Sequence, residues 1–213
     1  DNTTVDPLLT GDGLINATIG LVDGVLGVRT LEISTDEVSI VGALNGAAGF
    51  GQGRFNASLR DVGVLTDQIS GPIRARGAAS LDEDGNWGLD ATGTGPGGLA
   101  AEVAGQIAPD GILTVDVDGS APLALANNAI DPRRVSGLAN FDLRVNGPAE
   151  VSSLGGQITF SNGRLASPTE GLAFTDIGGQ IGLGGGRAQI DLTARVEGGG
   201  SVAIDGPLGL PSP

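Results

Sequence analysis

Hydrophobic and polar residues alternate along most of the chain, a period of two that is typical of β-strands with one apolar face and one wet face. The clearest runs are residues 138–146 and 187–196, and shorter ones cover 73–81, 113–117 and 177–183. No segment keeps helical spacing over ten or more residues, and the frequent glycines would weaken a helix. The pattern therefore predicts an all-β chain of about twelve strands of roughly eight residues.

Glycine-containing pairs separate these runs and predict the connections between strands. Asp84-Gly85, Asp110-Gly111 and Asn162-Gly163 each lie between two alternating runs, and Asx-Gly is favoured in tight hairpin turns. Residues 184–186, three glycines, predict another hairpin. Proline cannot continue a central ladder, so the Gly-Pro pairs predict strand ends; these are Gly71-Pro72, Gly147-Pro148 and Gly206-Pro207.

The pattern favours one domain over residues 1–213, with a possible break at 121–134. That segment has prolines near both ends and loses the alternation. It is either a linker between two subdomains or a long crossover within one sheet.

Composition restricts the chemistry that the chain can perform. The 213 residues include no His, Cys, Met or Tyr, and the net charge is −14. Without thiolate or imidazole there is no Cys or His nucleophile, general base or zinc ligand. The negative charge argues against a nucleic-acid partner, because phosphates would be repelled. We expect no enzyme, no cofactor and no metal.

Two motifs suggest ligands but are better explained as turns. Residues 93–98 match the letters of a dinucleotide fingerprint, yet a predicted strand follows them instead of a helix, and Pro96 removes an amide. Residues 82–86 are rich in carboxylates, but a calcium loop needs a bidentate Glu where this chain has Ala91. We expect a glycine loop and a hairpin turn, respectively.

The predicted strands leave an apolar face that something must cover, either a second sheet, the same sheet curling on itself, or a ligand. Several inward positions carry Ala or Gly, which leaves space and permits local curvature; they are Ala75, Gly77, Ala79, Ala91, Gly105, Gly156 and Gly179. These residues alone are equally compatible with a closed sandwich and an open trough.

The second half of the chain resembles a known family. Gly147-Pro148, residues 153–168 (SLGGQITFSNGRLASP), 172–183, 188–192 and the glycine-rich ending through Gly206-Pro207-Leu208 look like segments of the TamB family, the inner-membrane subunits of the translocation and assembly module. Trp87 to Leu89, residues 95–99 and 108–111 extend the likeness, which covers about residues 73 to 210.

The resemblance implies an elongated, curled sheet, a taco-shaped trough of β-hairpin repeats with an apolar interior. It also implies a location in the periplasm of a Gram-negative bacterium, as an internal fragment of a longer protein anchored in the inner membrane. The implied partners are phospholipid acyl chains and the outer-membrane barrel TamA, which other parts of the full-length protein contact. The implied roles are phospholipid transport to the outer membrane and support of outer-membrane protein assembly.

The predicted groove lining consists of the large apolar residues on the inward face of the strands. Two alternatives stay open: a chaperone-like groove for outer-membrane protein strands, and a closed structural or adhesive β-solenoid or sandwich. The predicted lining residues are Leu89, Val103, Ile107, Leu113, Val115, Val117, Phe141, Leu143, Val145, Ile158, Phe160, Ile177, Ile181, Leu183, Ile190, Leu192, Val202 and Ile204.

Overall fold

In the part of the chain that the structure describes, thirteen antiparallel strands follow one another in chain order through one sheet. The computed structural model describes residues 13–22, 25–45, 51–66 and 68–210. The strands are β1 Leu14–Val22, β2 Val25–Ser34, β3 Val38–Asn45, β4 Gly51–Leu59, β5 Ile73–Leu81, β6 Trp87–Thr94, β7 Ala100–Ile107, β8 Leu113–Pro122, β9 Arg134–Gly147, β10 Leu154–Ser167, β11 Leu172–Gly184, β12 Arg187–Val196 and β13 Ser201–Gly209. Short 3₁₀ segments occupy Val62–Val64, Pro96–Gly98, Leu123–Asn128 and Val151–Ser153.

The all-β prediction is confirmed for the described part of the chain. The alternating runs 73–81 and 187–196 are β5 and β12, and 138–146 lies within the longer β9. Thirteen strands replace the expected twelve, and three of them, β9 to β11, are 13 or 14 residues long. The alternation therefore locates the strands but does not define their ends. A strand ends where the neighbouring strand offers no further backbone groups for hydrogen bonding.

The turn at residues 82–86 is held by one carboxylate. Asp82 Oδ1 accepts hydrogen bonds from the backbone amides of Asp84, at 3.0 Å, and Asn86, at 2.8 Å. The Asn86 side-chain amide donates to Asp82 Oδ2 at 2.9 Å, and these bonds lower the pKa of Asp82 below its ordinary value, the Asn86 side chain most. Gly85 has φ of 84° at the end of this hairpin turn. The predicted turn is confirmed.

Asn162-Gly163 is not a hairpin turn, so that prediction is wrong. Both residues lie inside β10, where Asn162 has φ of 52° and the pairing with β9 and β11 shifts. Asp176 in β11 also has φ of 52°, next to a second shift. Asn and Asp tolerate the left-handed region, which is used here by β-bulges. A bulge increases local twist and leaves the strand continuous.

The Gly-Pro pairs behave in different ways. β9 ends at Gly147, as predicted, but Gly71-Pro72 precedes β5 and Gly206-Pro207 lies inside β13. Proline is tolerated in β13 because that strand is the last of the described sheet, where one side of the ladder has no neighbour. Residues 121–134 contain the end of β8, a 3₁₀ segment and the start of β9, and Pro122 of β8 pairs with Leu138 of β9.

The chain divides into two compact units, which are described separately. The first comprises residues 1–96 and 102–110, and the second comprises 97–101 and 111–213. The first unit contains β1 to β6 and most of β7, and the second contains β8 to β13. Most of the predicted lining residues belong to the second unit.

Glu170 stabilises the turn between β10 and β11 by a set of hydrogen bonds. Its carboxylate accepts from the hydroxyl of Ser167, which is buried, and from Thr169 at 2.8 Å, and Arg133 lies 3.1 Å away. The Ser167 bond contributes most to lowering the pKa of Glu170 to about 2. Since the folded state holds the carboxylate ionised, this contribution is complete above the ordinary pKa of 4.5 and disappears as pH falls toward about 2.

We expect Glu170→Gln to reduce the loss of stability on acidification. The variant starts less stable at pH 7, and its melting temperature then falls by a few degrees less than that of the unaltered chain between pH 5 and pH 2.5. Thermal unfolding followed by circular dichroism across this range measures the difference. If the melting temperatures of the two chains fell by the same amount between pH 5 and pH 2.5, this role of Glu170 would be contradicted.

Candidate functional site: an apolar sheet face

Apolar residues of the second unit form rows that cross the sheet perpendicular to the strands. Directly paired residues of antiparallel strands project from the same face, so the register defines these rows. Three rows run from β8 to β13: Val117, Leu143, Gly156, Leu183, Ala188, Leu208; Gly119, Phe141, Ile158, Ile181, Ile190, Gly206; and Ala121, Ala139, Phe160, Gly179, Leu192, Ile204.

A fourth row lies beyond the two bulges. Val135 of β9 pairs with Leu165 of β10, which pairs with Phe174 of β11, which pairs with Val196 of β12. The register gives β10 one extra residue at the Asn162 bulge and β11 one extra residue at the Asp176 bulge. Because the apolar alternation restarts after them, the apolar residues regain their common face.

The large side chains on these rows are not fully buried. Among the described residues, no large side chain has less than 2% of its surface exposed. The buried apolar residues are all alanines: Ala91, Ala139 and Ala188. Ile158, Ile181 and Ile190, in the middle of one row, are all partly exposed. Packed β-sandwiches bury the corresponding residues between two sheets. This apolar face therefore remains accessible.

Fifteen of the eighteen predicted lining residues lie on strands of the second unit. Sixteen of the eighteen are partly exposed, while Val202 and Ile204, on β13, are 37% and 54% exposed. The members in the second unit with direct partners on this face are Val115 and Val145, Val117 and Leu143, Phe141 and Ile158, Ile158 and Ile181, Ile181 and Ile190, and Leu192 and Ile204. Leu113 pairs with Gly147, Leu183 with Gly156 and Ala188, and Ile177 with Gly163 at the bulge. Leu89, Val103 and Ile107 lie in the first unit.

Phenylalanines on this face stand opposite glycines. Phe141 pairs with Gly119, and Phe160 pairs with Gly179. A ring opposite a glycine covers backbone that would otherwise meet water. Gly156 and Gly179, two of the glycines that we expected to leave space, are exposed. Because they have no side chain, the surface is depressed at these two positions between the large side chains of their rows.

These two glycines also bring neighbouring strands close together. A Cβ on Gly156 would collide with the carbonyl oxygen of Asp142, and a Cβ on Gly179 with that of Asp191. Their φ values of 116° and 136° are accessible to glycine and strained for other residues. These two glycines thus allow the backbones of neighbouring strands to approach closely, in addition to leaving space on the apolar face.

The opposite face of the second unit is hydrophilic and carries ion pairs between strands. Arg144 Nε lies 2.6 Å from Asp116 Oδ1 and Arg164 lies 2.9 Å from Glu197. The Gln157 and Gln180 side chains form a hydrogen bond of 2.5 Å. Bonding to Asp116 raises the pKa of Arg144. All of these side chains are largely exposed, so the pairs contribute little to the free energy of folding. Their charged and polar groups keep this face hydrated.

The first unit has an apolar face with smaller side chains. One row passes from Ile33 through Ile40, Ala57 and Ala75 to Gly93. Two depressions found in this unit lie on its other, hydrophilic face: one involves Asn56, Arg74 and Arg76, and the second involves Gln52, Ser80 and Asp90. The sequence analysis did not single out these residues. The sequence feature that could have identified the first depression is the repeated polar-x-polar spacing in Asn56-x-Ser58, Arg74-x-Arg76 and Thr92-x-Thr94.

The two sequence motifs that suggested ligands lie at connections between strands. Residues 93–98 end β6 and continue through a 3₁₀ segment into β7, so no helix N-terminus follows them. Within the described ranges, no three carboxylates cluster closely enough to hold a metal ion. The same part of the chain has no helix of the length and apolarity needed to cross a bilayer.

The fold and this face define a class of protein: an antiparallel meander sheet with an accessible apolar surface. Comparisons with family models, with curated protein sequences and with solved structures found no match to the chain.

Proposed function

We propose that the chain is a non-catalytic section of a hydrophobic β-groove that conducts phospholipids across the periplasm and supports outer-membrane protein assembly. The resemblance to the TamB family supplies the location, the membranes and the TamA partner. The supporting observation from the structure is the set of apolar rows in the second unit, whose large side chains remain partly exposed.

The energetics of an acyl chain fit such a surface. Each CH₂ group transferred from water onto apolar surroundings contributes about 0.8 kcal/mol. The rows offer Val, Leu, Ile and Phe side chains on six successive strands, with no charged residue in any of the three rows. A hydrocarbon on this face meets similar contacts at each step, so it can move along the sheet without a deep minimum at one strand.

A closed sandwich or solenoid explains the structure less well. Both would bury the large residues in a sealed interior, whereas the described residues include no large side chain under 2% exposed. A solenoid with parallel strands is also inconsistent with the antiparallel order of this sheet.

Native mass spectrometry of the protein purified from bacterial membranes and periplasm tests the proposal. We expect a population carrying one or more phospholipid masses, which are released on collisional activation. A chain that is free of lipid after mild purification, and that binds no fluorescent phospholipid added afterwards, would contradict it.

A further inference from the structure

The hydrophilic face of the first unit carries two arginines in a depression whose described lining contains no carboxylate. Arg74 and Arg76 lie on β5, two residues apart, so both project from one face at a spacing of about 7 Å. Both are exposed. They line a shallow depression of about 470 Å³ that extends over β3 to β6.

Neutral polar residues flank the two arginines on both neighbouring strands, β4 and β6. Arg74 pairs with Ser58 on one side and Thr94 on the other. Arg76 pairs with Asn56 and Thr92, and Arg76 Nε lies 3.4 Å from Thr92 Oγ1. The rows continue to Ser39 and Val41 of β3, and from there to Ser34 and Glu32 of β2, which do not line the depression. Hydroxyl and amide groups can donate hydrogen bonds without adding negative charge.

Carboxylates outnumber arginines 25 to 11 in this protein. Among the described residues, no carboxylate lines the depression and none forms an ion pair with Arg74 or Arg76. Asp90 lies one row farther along, where it pairs with Ala78, and Glu32 of β2 stands in the Arg76 row beyond Val41. In the second unit, Arg133, Arg134, Arg144, Arg164 and Arg195 have carboxylate partners, and Arg187 has none in the described part of the chain.

We infer that this depression, the Arg74–Arg76 surface, binds a phosphate group. Two guanidinium forks can each donate two parallel N–H···O bonds, and a tetrahedral phosphate has enough oxygens to accept from both. The side chains of Ser58, Thr92 and Thr94 can supply further donors. Attraction is local, because charges farther than about 8–10 Å are screened at physiological salt and the acidic remainder of the chain repels anions only weakly. The ligand is a phosphomonoester or phosphodiester, either free in solution or in a lipid headgroup.

Titration with inorganic phosphate, followed by ¹H–¹⁵N NMR at constant ionic strength, tests the inference. We expect saturable shifts of the Arg74, Arg76, Thr92 and Thr94 amides with millimolar affinity. The double variant Arg74→Gln/Arg76→Gln should bind at least about tenfold more weakly, since charge-assisted bonds are lost. Arg54→Gln is the matched control: Arg54 lies on the same face of β4, pairs with Ala78 and does not line the depression. Its affinity should stay within about twofold of the unaltered chain.

Vesicles distinguish the two sources of phosphate. Arginine-dependent binding to phosphatidylglycerol vesicles would assign the site to a lipid headgroup. Binding of inorganic phosphate and glycerol phosphate, without binding to vesicles, would assign it to a soluble ligand. Linear, non-saturating shifts, or equal affinity in the double variant, would overturn the inference. Neither result depends on acyl chains occupying the apolar rows, so failure here leaves the proposed function standing.

Discussion

Phospholipid bound to the purified protein is expected to fall at least about tenfold when Ile158 is replaced by aspartate. Ile158 pairs with Phe141 on one side and Ile181 on the other, in the middle of an apolar row. A carboxylate there would lose hydration whenever an acyl chain covers it, at a cost of several kcal/mol. Quantitative lipid mass spectrometry of the purified variant measures the loss.

Thr159→Asp is the matched control for this experiment. Thr159 is the next residue of β10, on the hydrophilic face, where its partners Asn140 and Gln180 carry no charge. The Thr159→Asp substitution adds the same charge at the adjacent position of the same strand, and it should leave the lipid content unchanged. Circular dichroism and thermal unfolding establish that both variants keep the sheet, and Ile158→Asn provides a second polar variant without charge. Equal lipid content in the Ile158 and Thr159 variants would contradict the assignment of the apolar face.

Replacement of Gly179 by alanine is expected to destabilise the protein by about 2–4 kcal/mol. A Cβ at this position would collide with the carbonyl oxygen of Asp191, and the backbone has φ of 136°. Relief requires β11 and β12 to separate locally, which weakens their hydrogen bonds. Urea unfolding monitored by circular dichroism gives the change in free energy.

Gly182→Ala separates this effect from a general cost of replacing glycine in a strand. Gly182 lies in the same strand, and a Cβ there would meet no atom within 4 Å. We expect its free energy of unfolding to change by less than about 1 kcal/mol, and loss of backbone freedom in the unfolded chain favours a small gain. Equal destabilisation by the two substitutions would show that the close approach of the strands at Gly179 is not what limits this position.

The strands could be predicted from the sequence because their information is local. Alternation in β5 and β12 gave both bounds, and Asp82 to Gly85 contains within itself the carboxylate and the glycine that build its turn. The apolar face of each strand follows from the same alternation. These features need no knowledge of the neighbouring strand.

The failures concern information that another strand supplies. Asn162-Gly163 has the composition of a hairpin turn, but continued pairing with β9 and β11 keeps the chain extended and converts the same backbone preference into a bulge. Proline at 207 ends no strand because β13 is the last strand of the described sheet, and one side of its ladder has no partner within that sheet. The Arg74–Arg76 surface depends on the register that places Thr92 and Asn56 beside Arg76.

Site-specific photo-crosslinking in living cells tests the central claim most directly. A benzophenone amino acid replaces Phe160, a partly exposed aromatic residue on the apolar face, or the adjacent Thr159 on the hydrophilic face. After irradiation, mass spectrometry identifies what each position has captured. We predict a phospholipid adduct at position 160 and none at 159. Absence of lipid at position 160, or equal capture at the two positions, would contradict the account.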